Sequence, residues 1–123
     1  LEYKVESLSK ILKIHIELIE GNHDKGCEVK NIQRFKTKTS LNLLYSHEPI
    51  NNKKKELLNI CGHYHPKVYV KYMNTKMSFK CFALDEENNI LYLPAYGDLT
   101  GGYLCKNDYK KWAIISEKSI LEV

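Results

Sequence analysis

Three short apolar runs, each broken off by a polar loop that carries histidine, constrain this chain more than any other feature. Ile14, Ile16, Leu18 and Ile19 run into Gly21-Asn22-His23-Asp24. Leu41 to Tyr45 runs into Ser46-His47-Glu48-Pro49, and Leu57 to Cys61 into Gly62-His63-Tyr64-His65-Pro66. Such runs read as strands that deliver their carboxyl ends into loops, and in layered α/β folds ligand sites gather beyond those ends. Four of the five histidines, His23, His47, His63 and His65, lie in the three loops, and only His15 falls inside a strand.

The rest of the chain reads as one strand-rich α/β domain over residues 1–123. Val5, Leu8, Ile11 and Leu12 recur at helical spacing and predict a short amphipathic helix over 4–13. Val68, Val70 and Tyr72, and then Phe79, Cys81 and Ala83, alternate with polar residues as strands do, and Ile90 to Leu93 forms a further run. Asp85-Glu86-Glu87-Asn88-Asn89 reads as a hairpin turn, and two more strands, Trp112 to Ile115 and Ile120 to Val123, flank Glu117-Lys118. A hydrophobic share of 43% with 28% charged residues excludes a disordered chain. The net charge of +4 suits a phosphate-bearing partner without arguing for one by itself. Cys27, Cys61, Cys81 and Cys105 form no C-x-x-C pair, so a zinc ribbon is not expected. With no signal peptide and no apolar run of membrane length, the chain is expected to be cytoplasmic, with reduced thiols and no membrane partner. It opens on Leu1, directly on the amphipathic stretch, and reads as a piece of something longer.

Imidazole is the commonest side-chain metal ligand, and a metal site needs several ligands converging on one point. His63 and His65, two apart in a turn led by Gly62 and stiffened by Pro66, can reach two adjacent ions. The amide oxygen of Asn22 suits a hard or borderline cation.

Gly21-Asn22-His23-Asp24 resembles the G-N-H-[DE] motif of the calcineurin-like metallophosphoesterases, and Gly62-His63-Tyr64-His65 resembles their G-H-x-H motif. His47 falls between the two, where that family keeps an isolated metal-binding histidine. Ser46 to Pro49, Cys61 to Pro66 and Leu93-Pro94-Ala95-Tyr96-Gly97-Asp98-Leu99-Thr100-Gly101-Gly102 further resemble the DNA ligase-associated subgroup of DNA damage response endonucleases. The resemblance spans roughly residues 10–123. It implies the C-terminal part of a four-layer αββα sandwich and a metal-dependent phosphodiesterase or nuclease acting on DNA. It also implies a place in a ligase or helicase pathway. Asn22, His47 and His63 would bind one ion and His65 the other. His23 would stabilise or protonate the leaving oxygen, with Asp24 orienting its ring. Two divalent ions, Mn²⁺ first and Fe or Zn²⁺ otherwise, would activate a water for in-line displacement.

The family's opening D-x-H and G-D motifs do not occur before Gly21, and Gly97-Asp98 comes too late in the order to replace them. The ligands in hand are three imidazoles and an amide, all neutral, and two divalent ions need a bridging anion as well. The domain is therefore expected to lack its N-terminal portion and to be marginally stable alone, with a raw sheet edge. The alternative is a truncated or decayed, non-catalytic chain of the same fold, serving as a scaffold or as a metal-binding module. Lys53-Lys54-Lys55, with Lys36 and Lys38, and the nine tyrosines are weighed as nucleic-acid contacts against solvated loops and core packing. Tyr64 can line the pocket, Glu48 can support a ligand histidine, and Cys61 reads as buried. Substrate-binding residues and oligomeric state stay open.

Overall fold

The computed structural model describes residues 7–8, 10–26, 32–51, 56–98 and 100–123. Among these, the chain forms β1 (Glu17–Ile19), β2 (Gln33–Phe35), β3 (Thr37–Ser40), β4 (Leu43–Ser46), β5 (Leu58–Cys61) and β6 (Pro66–Tyr72). It continues with β7 (Thr75–Asp85), β8 (Ile90–Tyr92), β9 (Tyr103–Leu104), β10 (Lys110–Ser116) and β11 (Ser119–Glu122). The helix is seen at residues 7–8 and 10–12, and Lys13, with φ of 48°, ends it in the left-handed conformation that closes many helices. Val5, Cys27, Lys53-Lys54-Lys55 and Leu99 lie outside the described residues.

The main sheet is mixed, in the order β11-β10-β7-β8-β5-β4-β3. β4, β5 and β8 run parallel at its centre, and the other pairs are antiparallel. β1 and β2 form a separate parallel pair. The expected strand-rich α/β architecture is thus present. Three strands were not expected. β2, β3 and β9 are short or polar, and each is drawn into a pair by the edge its partner offers rather than by its own apolar pattern. Leu41, expected to begin a strand, instead sits at φ 53° in the β3–β4 turn and is 92% exposed.

β7 is long enough to serve two layers. Thr75 to Lys80 pairs with β6, while Cys81 to Asp85 pairs with β10 and β8. The β6–β7 hairpin therefore folds over one face of the main sheet, and the core lies between them. Cys61, Ala83, Ile90 and Tyr92 are buried there, and Val68, Cys81 and Ala113 continue the core beneath the hairpin. The turn expected at Asp85 to Asn89 closes β7 onto β8. Burial disfavours the Asp85 carboxylate, but hydrogen bonds from Asn88 and from the Tyr109 hydroxyl outweigh it and hold its pKa below the usual value. The opposite face of the sheet carries a groove lined by Leu58, Phe82, Leu84, Leu91, Trp112 and Ile120.

One polar residue locks the central strands. Asn59 is 1% exposed on β5, between the strand that carries His47 and the strand end next to the Asp85 turn. Its amide nitrogen donates to the Leu44 carbonyl at 3.0 Å and to Ser46 Oγ at 2.8 Å, and its oxygen accepts from the Ile50 N–H at 2.8 Å. Ser46 Oγ donates onward to the Glu48 carbonyl at 2.6 Å. Removing the amide leaves three buried or half-buried partners without it, so Asn59→Ala is expected to lose about 2–4 kcal/mol of unfolding free energy in urea denaturation. Asn59→Asp, which keeps the shape but removes both donors, is expected to cost at least as much. A loss below about 0.5 kcal/mol in either variant contradicts this role.

Candidate functional site

The three histidine loops meet because their strands are in register. Ser46 lies opposite Cys61 in the parallel β4–β5 pair, and one residue further on the Gly62 N–H donates to the His47 carbonyl at 3.2 Å. The loop after β1 is brought to them by a set of clamps. Arg34 on β2 holds Glu20 through Nε at 2.9 Å and donates to the Asp24 carbonyl at 3.0 Å. Lys38 on β3 pairs with Glu17 on β1, so it is committed to the fold rather than offered to a nucleic acid. Gly21 lets the His47 ring in. A Cβ at Gly21 would stand 2.8 Å from His47 Cε1 and Nδ1.

The result is a convergence of three lone-pair donors. His47 Nε2 lies 2.9 Å from Asn22 Oδ1 and 3.0 Å from His63 Nδ1. The Asn22 amide nitrogen faces His23 Nε2 at 3.5 Å, which turns the amide oxygen toward His47. A neutral imidazole nitrogen carries either a proton or a lone pair. With a lone pair, His47 Nε2 repels Asn22 Oδ1; with a proton, it divides one hydrogen between two acceptors. A cation satisfies all three at once. Ligands about 2.1 Å from one ion stand about 3 Å apart when at right angles, the spacing of His47 Nε2 from each of its two neighbours. The donor set therefore fits a divalent cation. Partial burial, and then the neighbouring His63, hold His47 below the ordinary imidazole pKa, against the opposing pull of Glu48 and Asp24. That keeps the ring neutral, the form that binds metal.

The remaining expected residues fall around this point. His65 is half-buried with φ of 49°, and its charge also acts to lower His47. The strained backbone sits on His65, whereas a Cβ at Gly62 would meet nothing, so the tight turn does not rest on that glycine. His23 is exposed beside Asn22. Asp24, expected to orient the His23 ring, gives its Oδ2 to the Gly21 N–H at 2.7 Å and closes the loop on itself. Glu48 stands 4.0 Å from His63 Nε2, the ring nitrogen turned away from His47, where a supporting carboxylate belongs. Among the described residues no three His, Cys, Asp or Glu side chains converge, so the cluster of two histidines and an asparagine has no carboxylate within it.

Tyr64 does not line the pocket. Its ring turns inward against Tyr92, centroids 5.2 Å apart, and its hydroxyl donates to the Leu104 carbonyl at 3.2 Å. It anchors the loop between the exposed His63 and the half-buried His65. Cys61, at the strand end, is buried as expected, and burial raises its thiol pKa to about 11. Cys61, Cys81 and Cys105 are free thiols. The Pro94–Gly102 segment also has a structural task. A Cβ at Gly102 would come within 2.4 Å of the His65 carbonyl, and the Tyr103 N–H donates to that same oxygen at 3.2 Å. An open cavity of about 400 Å³ adjoins the cluster, lined by Asn22, His47, Glu48, Lys25 and Lys36. Sequence reasoning passed over Arg34, Asn59 and Gly102's contact, since all three act through partners distant in the chain. No helix of the described residues is long and apolar enough to cross a membrane.

The strand-rich α/β arrangement with its mixed sheet is a fold of the nuclease and phosphoesterase kind. It is shared with the crystal structure of Pseudomonas putida nuclease MPE, at 25% sequence identity and a TM-score of 0.74 over 98% of this chain. The present chain spans 60% of the length of that one. No protein-family model matches the sequence, and no curated protein matches it.

Two glycine variants separate site from scaffold. Gly21→Ala presses mainly on the His47 ring, and more lightly on Asp24 Oδ2, both side chains that can shift, so Mn²⁺ affinity by titration calorimetry is expected to fall about 10–100-fold, with unfolding free energy little changed. Gly102→Ala meets backbone that cannot yield, and is expected to destabilise the chain by about 2 kcal/mol or more. Equal effects of the two on metal affinity and on stability count against this division.

Proposed function

We propose that the chain carries part of a metal-dependent phosphodiesterase site acting on DNA, within a single domain that includes residues 1–123. The observation that carries this reading is the convergence of Asn22 Oδ1, His47 Nε2 and His63 Nδ1, in a fold shared with a nuclease. Asn22, His47 and His63 hold one divalent cation, Mn²⁺ before Fe or Zn²⁺, and His65 reaches a second. When bound, such ions supply an activated water and offset the negative charge of the phosphate.

The chain's own residues supply the rest. Glu48 steadies His63 from its outer nitrogen, and Gly21 admits the His47 ring at its working distance. His23, exposed beside Asn22, is placed to hand a proton to the departing oxygen, and Asp24 positions it by closing the Gly21–Asp24 loop. Lys25 and Lys36, on the wall of the adjoining cavity, attract the phosphate. The carboxylates needed to balance a second cation come, in this reading, from outside the described residues. The DNA ligase-associated subgroup and a ligase or helicase pathway rest on the motifs alone.

A second reading is favoured by the neutral ligand set: a module that binds one metal ion without turnover. Hydrolysis of bis(p-nitrophenyl) phosphate with added Mn²⁺, in the chain and in His63→Ala, separates the readings. Turnover that falls to background in the variant is expected under the first. One-to-one Mn²⁺ binding without turnover supports the second. Turnover unchanged in His63→Ala overturns the assignment of the site.

A further inference from the structure

The β6–β7 hairpin leads straight out of the histidine loop, because β6 begins at Pro66 directly after His65. Residues 66–80 contain four lysines and neither Asp nor Glu. Strand alternation puts Lys67, Tyr69 and Lys71 on one side of β6. The register sets Lys80, Ser78 and Lys76 opposite them on β7, so all six share a face. The other face, with Val68, Val70 and Phe79, packs on the core. Tyr69 is 44% exposed, and Lys76 Nζ lies 4.1 Å from its ring centroid.

This face is costly by the standards of a fold alone. Lys67 opposes Lys80, and Lys71 opposes Lys76, and like charges directly across a strand pair destabilise it. Lys80 finds partial relief in the Gly97 carbonyl and Asp98, and Lys76 in the Tyr69 ring. A polyanion lying along the hairpin relieves both pairs together. Same-face residues on a strand are spaced about 7 Å apart, so Lys71 lies roughly 20 Å from His65. The lysines thus flank a partly exposed aromatic ring, one face of which Lys76 covers until a base displaces it, along a line that starts at the histidine loop.

We propose that this face is a track for single-stranded DNA, with the lysines on its phosphates and Tyr69 stacked on a base. Cationic grooves with stacking aromatics are how single strands are held without sequence preference. The inference deepens the proposed function and takes from it the choice of nucleic acid as polyanion, but its test needs no turnover.

The test is fluorescence anisotropy of a labelled oligothymidylate with the full chain, metal chelated, across a series of salt concentrations. Each single-strand phosphate contact contributes about 0.7 to the slope of log affinity against log salt. The double variant Lys71→Ala/Lys76→Ala is expected to bind more weakly and to lower that slope by about 1.4. Tyr69→Ala is expected to bind roughly 5- to 100-fold more weakly at an unchanged slope, and Tyr69→Phe to restore binding. The altered residues are exposed or edge-on to solvent, and matched thermal melts check that each variant is folded. A slope unchanged in the double variant overturns the track, as does a wild-type chain that binds no oligonucleotide. Tighter binding to a DNA duplex, or to anionic vesicles in place of DNA, overturns the single-strand assignment. Binding as expected without hydrolysis leaves the track standing and removes the enzymatic reading instead.

Discussion

Everything at the histidine cluster depends on the parallel register of β4 and β5, sealed from within by Asn59. A buried amide on a central strand is costly unless all its hydrogen bonds are made, and here its donors and its acceptor are all engaged. Those bonds end on Leu44, Ser46 and Ile50, which bracket His47 on both sides. A shift of β4 by one residue would turn His47 to the other side of the sheet and break all three contacts. Core packing and loop placement are therefore one requirement, met by one side chain.

The loops are fitted to each other by contacts of backbone and ring more than by ligand-to-ligand bonds. Gly21 receives the His47 ring, and Gly102 passes under the His65 carbonyl. Tyr64, set between two histidines, is spent on the interior, tilted against Tyr92, which in turn stacks on Tyr109 at 5.8 Å. His47 Nε2 is left facing both the Asn22 amide oxygen and His63 Nδ1, at 2.9 and 3.0 Å.

Legibility in the sequence followed the range of the interactions involved. β4, β5, β6, β7, β8, β10 and β11 announce themselves through apolar runs or alternation, and the Asp85 turn through its Asp and Asn residues. β3, written Thr37-Lys38-Thr39-Ser40, has no such pattern and exists because β4 offers it an edge. The metal-type residues were legible because histidine clustered at strand ends is rare without a reason. Arg34, Asn59 and Glu17–Lys38 were not, because each acts on a residue that only the fold brings near. The lysine face of the hairpin was open to reading from the alternation of Lys67, Tyr69 and Lys71.

By itself the sequence determined which residues can do chemistry, and that they stand at the ends of strands, since residue type and local periodicity are properties of short stretches. The tertiary structure decided which of them meet. It brought Asn22 and His63 to His47, turned Tyr64 inward, closed Asp24 onto a backbone N–H and lined up four lysines with Tyr69. Those outcomes belong to strand register and to crossings between segments tens of residues apart, where side chains are brought together by the packing of the whole sheet and not by their neighbours in the chain.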